Sequence, residues 1–536
     1  MLTTVDCDGI PKYIKYEIYM PLAGWDAMSM DFRDETIEDA SDSYSEEAGF
    51  HEEASGMVGI VYGDVGTAEL KCSVTAPLEK GEYVQIPHES CGPVLGQVDR
   101  MERKTNLSLD KAISMSQGEM MDIQEKVLAD ITIIGFRDDR GLLQTPKAPF
   151  KAGSPVSRAD DELIAKVIGI KHSEKTGAYI GVLNGHDIPI QLDINEMVQK
   201  HVSILAKTGG GKSYMTGVLV EELLKHGVTV MIIDPHGEYN SLRDAGVSSE
   251  YAEKFGVHPR GYADQICEFS PDTKINKDAK PLRFTIGNLE ARDILALTNV
   301  KNVRQALPAL KKVLEMIRAN KPTFSLKDVI RTLEAQEDAQ NANLIQELNY
   351  LDEINIFAER GTKLDELIQK GKMTILNLRG TAPDISGLIV NRVLTSLFEM
   401  RKINAIPPML VVTEEAHNYC PQQGTTACSK IMRTIASEGR KFGLGLVIIT
   451  QRAAKVDKNV LSQCGTQIIL KITNPLDLKA VISSVEGLTT GVTEEIQQLP
   501  IGVAIVCGGG VQVPLFVRVR PRETRHGGES VKIIEG

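Results

Sequence analysis

The sequence predicts an α/β protein in which a parallel β-sheet is covered by helices. A small β-barrel is expected before the sheet and a helical bundle inserted within it. Three observations carry the expectation. Fully apolar runs of strand length alternate with helix-length stretches through most of the chain, as strands buried on both faces do. One of these runs ends in a glycine-rich loop that opens a helix. Upstream the texture differs, with short β-like runs separated at regular spacing by Gly, Pro and Asp.

The 536 residues leave room for several domains, and 42% hydrophobic with 25% charged residues is ordinary for a globular chain. No apolar run approaches the roughly 20 residues of a membrane span, and the first residues show no signal-peptide pattern. A cytoplasmic protein without a membrane partner is expected. The eight cysteines, at 7, 72, 91, 267, 420, 428, 464 and 507, show no CxxC spacing. A disulfide framework and a zinc site are both disfavoured, and reduced thiols are expected. The net charge of −12 excludes a uniformly basic nucleic-acid coat. It leaves open a pore in which a few basic side chains are concentrated.

Taken in order, residues 1–55 read as an acidic, weakly ordered arm with one strand near 13–19. Nine Asp or Glu and no Lys or Arg fall within 34–53. Residues 56–155 read as the small barrel, from runs at 56–62, 67–74, 83–87 and 94–98. Stretches 127–136 and 178–183 are candidates for further strands, 104–126 looks helical, and 147–155 looks like a linker. Residues 156–284 form the first part of the core. There a strand at 202–205, the glycine-rich loop, a helix at 214–225 and a strand at 228–233 make one βαβ unit. Residues 285–370 turn amphipathic at helical period, through 303–317, 326–333 and 344–357, and read as an inserted helical subdomain. The core resumes over 371–520, with apolar strands at 373–378, 409–413, 446–450, 467–472, 502–507 and 513–518. Such alternation is that of a RecA-like sheet. Residues 521–536 read as a polar tail.

The loop from Ala206 to Ser213 fits the P-loop template, with Ala206 in place of the leading glycine. Glycines are needed where successive amides curl around a phosphate, and the helix N-terminus adds partial positive charge there. Thr208, Gly209, Gly210, Gly211, Lys212, Ser213 and Tyr214 are therefore the expected nucleotide-binding residues, with ATP and Mg²⁺ as ligands. Lys212 would reach the β- and γ-phosphates and the Ser213 hydroxyl would ligate Mg²⁺. A plain glycine-rich turn is the competing reading. Three glycines followed by Lys-Ser, behind an apolar strand, count against it.

Hydrolysis needs an acid at the end of another buried strand. The run 409–413 ends in Glu414 and Glu415. By position Glu414 fits a metal-orienting carboxylate and Glu415 the group that polarises water. Two acids at a buried tip are costly without a compensating cation, which Mg·ATP would supply. The competing reading is a solvent-exposed helix start. Asp234, at the end of the strand after the P-loop helix, is a third acid, expected next to the P-loop. His236, Glu238 and His417 read as polar loop residues, since no second ligand lies at metal spacing. Gln451 closes the strand after Glu415, either to contact the γ-phosphate or simply as a polar strand end. Arg440 precedes that strand; in a ring of identical subunits such an arginine can reach the neighbour's ATP.

Taken together, His201 through Ser213, Ile233 through Tyr239, Glu414 through Tyr419, Ser437 through Gly443 and Ile449 through Gln451 resemble the HerA branch of the HerA–FtsK family of ring-shaped DNA-translocating ATPases. The resemblance runs from about Gly56 to Arg522. It implies a small N-terminal barrel, a RecA-like core with an inserted bundle, and a homohexamer that threads double-stranded DNA. It also implies a NurA-type nuclease partner in DNA end resection and recombinational repair. On the same resemblance Glu415 is the catalytic base, Arg440 the trans-acting arginine and Asp234 an active-site acid. Ala206 and Lys200 depart from the family pattern. Lys430, Arg433, Arg452 and Lys455 are candidates for the pore. A HerA-like motor subunit of an antiviral defence complex, paired with a nuclease or other effector, is the alternative function. A regulatory ATP-binding scaffold is a third, disfavoured by Lys212, Glu414, Glu415 and Arg440 standing together.

Overall fold

A computed structural model describes residues 56–527, apart from residues 119, 121, 297, 299, 301, 322, 355, 359 and 486–489. The acidic arm expected over residues 1–55, and the tail beyond residue 527, lie outside the described residues.

The first described strands close on themselves. Glu69–Val74, Met57–Tyr62, Pro155–Arg158, Tyr83–His88, Gly92–Thr105 and Glu125–Arg137 pair in that order, all antiparallel. Glu125–Arg137 then pairs back onto Glu69–Val74, with Thr132 opposite Glu69 and Val127 opposite Val74. Closure leaves the ring without a free edge. Alternate residues point inward, so Val58, Leu70, Ile86, Val98, Ile131 and Val156 fill one core. The stretch 104–126, expected to be helical, is the connection between two hairpin strands and holds one short helix. Strands run to Thr105 and resume at Glu125, and only Leu109–Ser116 between them is helix. Its Leu109 and Ile113 face solvent, so the amphipathic spacing there does not mark a buried face. The stretch 147–155, read as a linker, buries Phe150 in the barrel and ends in its closing strand.

The second sheet is the centre of the molecule. Its strands lie in the order Lys280–Pro281, Ile266–Ser270, Met373–Asn377, Thr229–Asp234, Met409–Thr413, Leu444–Thr450, Val202–Leu205 and Thr466–Ile469, all parallel. Beyond them Val503–Gly508, Val511–Val519, Gly177–Leu183 and Pro189–Asp193 extend the sheet antiparallel. Gly177–Leu183, a candidate for the barrel in the sequence, therefore belongs to this sheet, with Val182 opposite Arg518. Its apolar alternation suits either partner; only the long-range pairing decides.

Both faces of the parallel part are covered, which is why its strands read as unbroken apolar runs. Met231, Ile233, Met409, Val411 and Leu446 point to one core; Val230, Ile232, Leu410, Val412 and Val447 point to the other. The first core is continuous with the helices between Lys280–Pro281 and Met373–Asn377. Val303–Asn320 contributes Leu310, Val313 and Leu314, and Leu326–Glu334 contributes Val329 and Leu333. The latter helix starts at a capping box in which Ser325 Oγ accepts from Asp328 N and Asp328 Oδ2 accepts from Ser325 N.

Residues 521–524 are not a solvated tail. Arg520, Arg522, Glu523 and Thr524 are buried against the P-loop helix Lys212–Lys225. Arg520 Nη1 donates to Glu221 Oε2 at 3.0 Å and Nη2 to Glu222 Oε1 at 2.7 Å. Glu221 also accepts from the Glu523 and Thr524 backbone N–H groups. Glu523 in turn accepts from Lys225 and Tyr262. Three cations meet three carboxylates, and this neutrality lets so polar a sequence enter the interior.

Candidate active site

The strand Val202–Leu205 is fully buried and delivers the loop to the sheet's carboxyl edge. Gly209 and Gly211 take φ +70° and +93°, the left-handed region that side chains disfavour. At Gly210 a Cβ would sit 2.9 Å from Lys207 O. Gly211 caps the helix Lys212–Lys225 without any side-chain hydrogen bond, so the first amides stay open to an anion. His201 holds the start of this strand. Its Nδ1 accepts from Leu446 N and its Nε2 pairs with Ala436 O, both at 3.0 Å. Burial pushes its pKa down, which suits the neutral ring with the proton on Nε2. The P-loop strand is thereby tied to the helix Ser429–Phe442, which carries Arg440.

Glu414 and Glu415 follow the buried strand Met409–Thr413 and are themselves buried. Lys212 Nζ lies 2.7 Å from Glu414 Oε2 and 2.8 Å from Glu415 Oε1. Burial alone would lower the Lys212 pKa; the two carboxylates outweigh it and raise it. Glu414 Oε1 accepts from the Tyr239 hydroxyl, so both its oxygens are engaged. Glu415 differs. It adopts φ +48°, left-handed for a residue with a Cβ. Its Oε2 is buried and accepts no hydrogen bond. His417 Nδ1 lies 3.2 Å from that oxygen, but it hydrogen-bonds Thr450 Oγ1 at 3.1 Å instead. Burial, ahead of the pull of Glu415, lowers the His417 pKa and keeps the ring neutral near pH 7.

Asp234 is not beside the P-loop strand. Leu444–Thr450 and Met409–Thr413 lie between them, because the chain returns to fill the sheet from within. Asp234 instead accepts from the backbone N–H groups of His236, Gly237 and Tyr239 and fixes the loop that follows it. Burial, partly offset by these hydrogen bonds, raises its pKa to about 6.

A cleft of about 800 Å³ opens at the loop. Of the residues expected from sequence, Thr208, Gly209, Gly211, Lys212, Ser213, Tyr214, Glu415 and Gln451 line it. Thr208 Oγ1 donates to Gln451 Oε1. Gly210, Glu414 and Asp234 stand behind the lining, and Arg440 is an exposed residue of its helix that does not face its own chain's cleft. Of the candidate pore residues, Lys430, Arg452 and Lys455 are exposed, whereas Arg433 is paired with Asp457 at 2.6 Å. Tyr239 was not singled out from sequence. Its place five residues after Asp234 gives no sign that its hydroxyl crosses to Glu414.

A loop that leaves phosphate-seeking amides open, a lysine, and acids on a strand one removed from the P-loop strand define a P-loop ATPase. Residues 178–397 match the family model described as Helicase HerA, central domain. A probable helicase of Methanocaldococcus jannaschii is 29% identical, over 89% of this chain and 93% of the relative. The DNA double-strand break repair helicases HerA of Sulfurisphaera tokodaii and Pyrococcus furiosus are 29% and 26% identical, each over 89% of this chain and 96% of the relative. Among solved structures, VirB4 of Thermoanaerobacter pseudethanolicus superposes with a TM-score of 0.47 at 14% identity, over 65% of this chain and 97% of that one. Over 89% of its length the chain is thus similar to HerA helicases.

Proposed function

We propose that this chain is a DNA-dependent ATPase and DNA repair helicase that assembles as a homohexamer around double-stranded DNA. On this reading a NurA-type nuclease partner acts with it in end resection and recombinational repair. The HerA-type relationship supports the class. The observation that carries the chemistry is the unbonded, buried Glu415 Oε2 at a cleft that begins on uncapped P-loop amides.

In the proposed cycle the triphosphate lies on the amides of 209–213 and draws Lys212 away from Glu414 and Glu415. Water attacks the γ-phosphorus, the bond to the β-bridging oxygen breaks, and the water's proton passes to Glu415. ADP and phosphate leave, Glu415 releases its proton to the departing phosphate, and Lys212 returns to the two acids. Gln451, held by Thr208, reports loss of the γ-phosphate to the loop. Arg440, exposed on its helix, serves a neighbouring subunit's site. Among the described residues no three His, Cys, Asp or Glu side chains converge to hold a metal ion by themselves. Hard oxygen donors at Ser213 and Glu414 suit Mg²⁺ arriving with the phosphates, where it would neutralise their charge.

Hydrolysis of ATP should rise with linear duplex DNA, and Glu415→Gln should lower kcat by about 10²–10⁴ while ATP still binds. Wild-type rates in Glu415→Gln would remove the catalytic assignment. No hydrolysis by the wild type, with DNA and a nuclease partner both present, would remove the motor.

A further inference from the structure

Glu415 loses its support when a triphosphate draws Lys212 away. Among the described residues its carboxylate has one hydrogen-bond donor, Lys212, which holds Oε1. With that donor gone both oxygens of a buried carboxylate are unbonded, which is costly and leaves the group free to turn. A base needs one open oxygen to take a proton and one held oxygen to fix its aim.

His417 stands where the second hold is needed. Its Nδ1 lies 3.2 Å from Glu415 Oε2, the oxygen that has no partner. The left-handed φ of Glu415 turns the chain into the short 3-10 turn Ala416–Asn418, which brings His417 back to the carboxylate two residues earlier. The same nitrogen lies 3.1 Å from Thr450 Oγ1. Thr450 is buried, in register with Leu205 of the P-loop strand, and its Oγ1 accepts from Arg452 N at 2.9 Å. A hydroxyl can give a hydrogen bond or take one, so Thr450 suits either tautomer of the ring. With the proton on Nε2, Nδ1 accepts from Thr450 and offers Glu415 nothing. With the proton on Nδ1, the ring is a donor and Oε2 is within reach.

We infer that His417 is a positioning residue for Glu415: as Lys212 leaves Oε1, the ring takes its Nδ1–H form and donates to Oε2. The hold passes from one oxygen to the other, and Oε1 is left open for the water's proton. Solvent reaches the ring, whose side chain is 18% exposed, so one proton leaves Nε2 for water as another arrives at Nδ1. The ring's charge does not change. The inference rests on reading Glu415 as the base of ATP hydrolysis.

Substitution separates the two ring nitrogens. The amide nitrogen of asparagine can stand where Nδ1 was, whereas that of glutamine stands near Nε2. The test is steady-state ATP hydrolysis by the full chain with linear duplex DNA. His417→Asn should keep kcat within about threefold and His417→Gln should lower it by about 10–100-fold, both with KM unchanged. Thermal melts check that both variants fold. Added to Glu415→Gln, His417→Gln should cost no further rate, because it acts through Glu415. Equal losses in the two variants, wild-type kcat in His417→Gln, or a full further loss on top of Glu415→Gln would each overturn the role. If wild type hydrolyses nothing, or Glu415→Gln hydrolyses like wild type, the base itself is misassigned and its positioning residue falls with it.

Discussion

The Tyr239 hydroxyl donates to Glu414 Oε1, joining the loop after one strand to the acid at the tip of the next. Asp234 anchors that loop through the Tyr239 backbone, and Glu414 in turn holds Lys212. The P-loop lysine is thus positioned by a chain of contacts that starts three strands away.

Removing the hydroxyl alone tests this chain. Tyr239→Phe leaves a buried carboxylate oxygen without its donor and should lower unfolding free energy by about 1–3 kcal/mol. Urea denaturation reads that loss. The same variant should also have a lower kcat, since Glu414 no longer holds Lys212 in one place. Wild-type stability would show that water replaces the hydroxyl at no cost.

The placement of Arg440 gives a second test. If it acts on a neighbour, Arg440→Ala and Lys212→Ala subunits are each inactive alone but complement when mixed. An intact P-loop from the first then meets an intact arginine from the second. Partial recovery of ATPase activity in the mixture is expected. Failure to recover, in mixtures shown to co-assemble, would leave Arg440 without a trans role.

Asp234 gives a dependence on pH whose sign follows from its pKa. Folding raises that pKa from 3.8 to about 6, so the folded protein holds the proton more tightly than the unfolded chain. The contribution is fully present below about pH 4 and is lost as pH rises through about 6, by at most about 1.4 kcal/mol per pH unit. The unfolding free energy of wild type relative to Asp234→Asn should therefore fall across that window and level off above it. A difference that stays flat would mean Asp234 titrates normally.

Arg520 is a fourth case. Its side chain is 0% exposed among Glu221, Glu222 and Glu523. Arg520→Met strands buried carboxylates and should cost about 3–5 kcal/mol. Because the pair is shielded from solvent, that cost should hardly change between low and high salt. The exposed pair Arg100–Glu102 should contribute less than about 1 kcal/mol. Thermal melts at two ionic strengths distinguish them.

What was legible in the sequence was local. The strand 202–205, the glycines and Lys212 are contiguous, and the apolar run 409–413 ends directly in Glu414 and Glu415, so the motif and its acids can be read without knowing the fold. Strand order is different. Nothing near Asp234 shows that residues 409–413 and 444–450 return to lie between it and the P-loop. Gly177–Leu183 alternates like a barrel strand and joins the core sheet only because Val511–Val519 is there to pair with it. The C-terminal arginines look solvated until Glu221 and Glu222, some 300 residues earlier, are brought against them. Tyr239 was missed for the same reason: its partner lies 175 residues away.

The pairing of Gly177–Leu183 with Val511–Val519 also sets an order of events during synthesis. The strand that leaves the ribosome first in this sheet must wait for the last one before its edge is closed. The wall that residues 519–526 lend to the cleft arrives later still. The P-loop strand pairs only with Leu444–Thr450 and Thr466–Ile469, so the cleft is completed only as translation of the core ends.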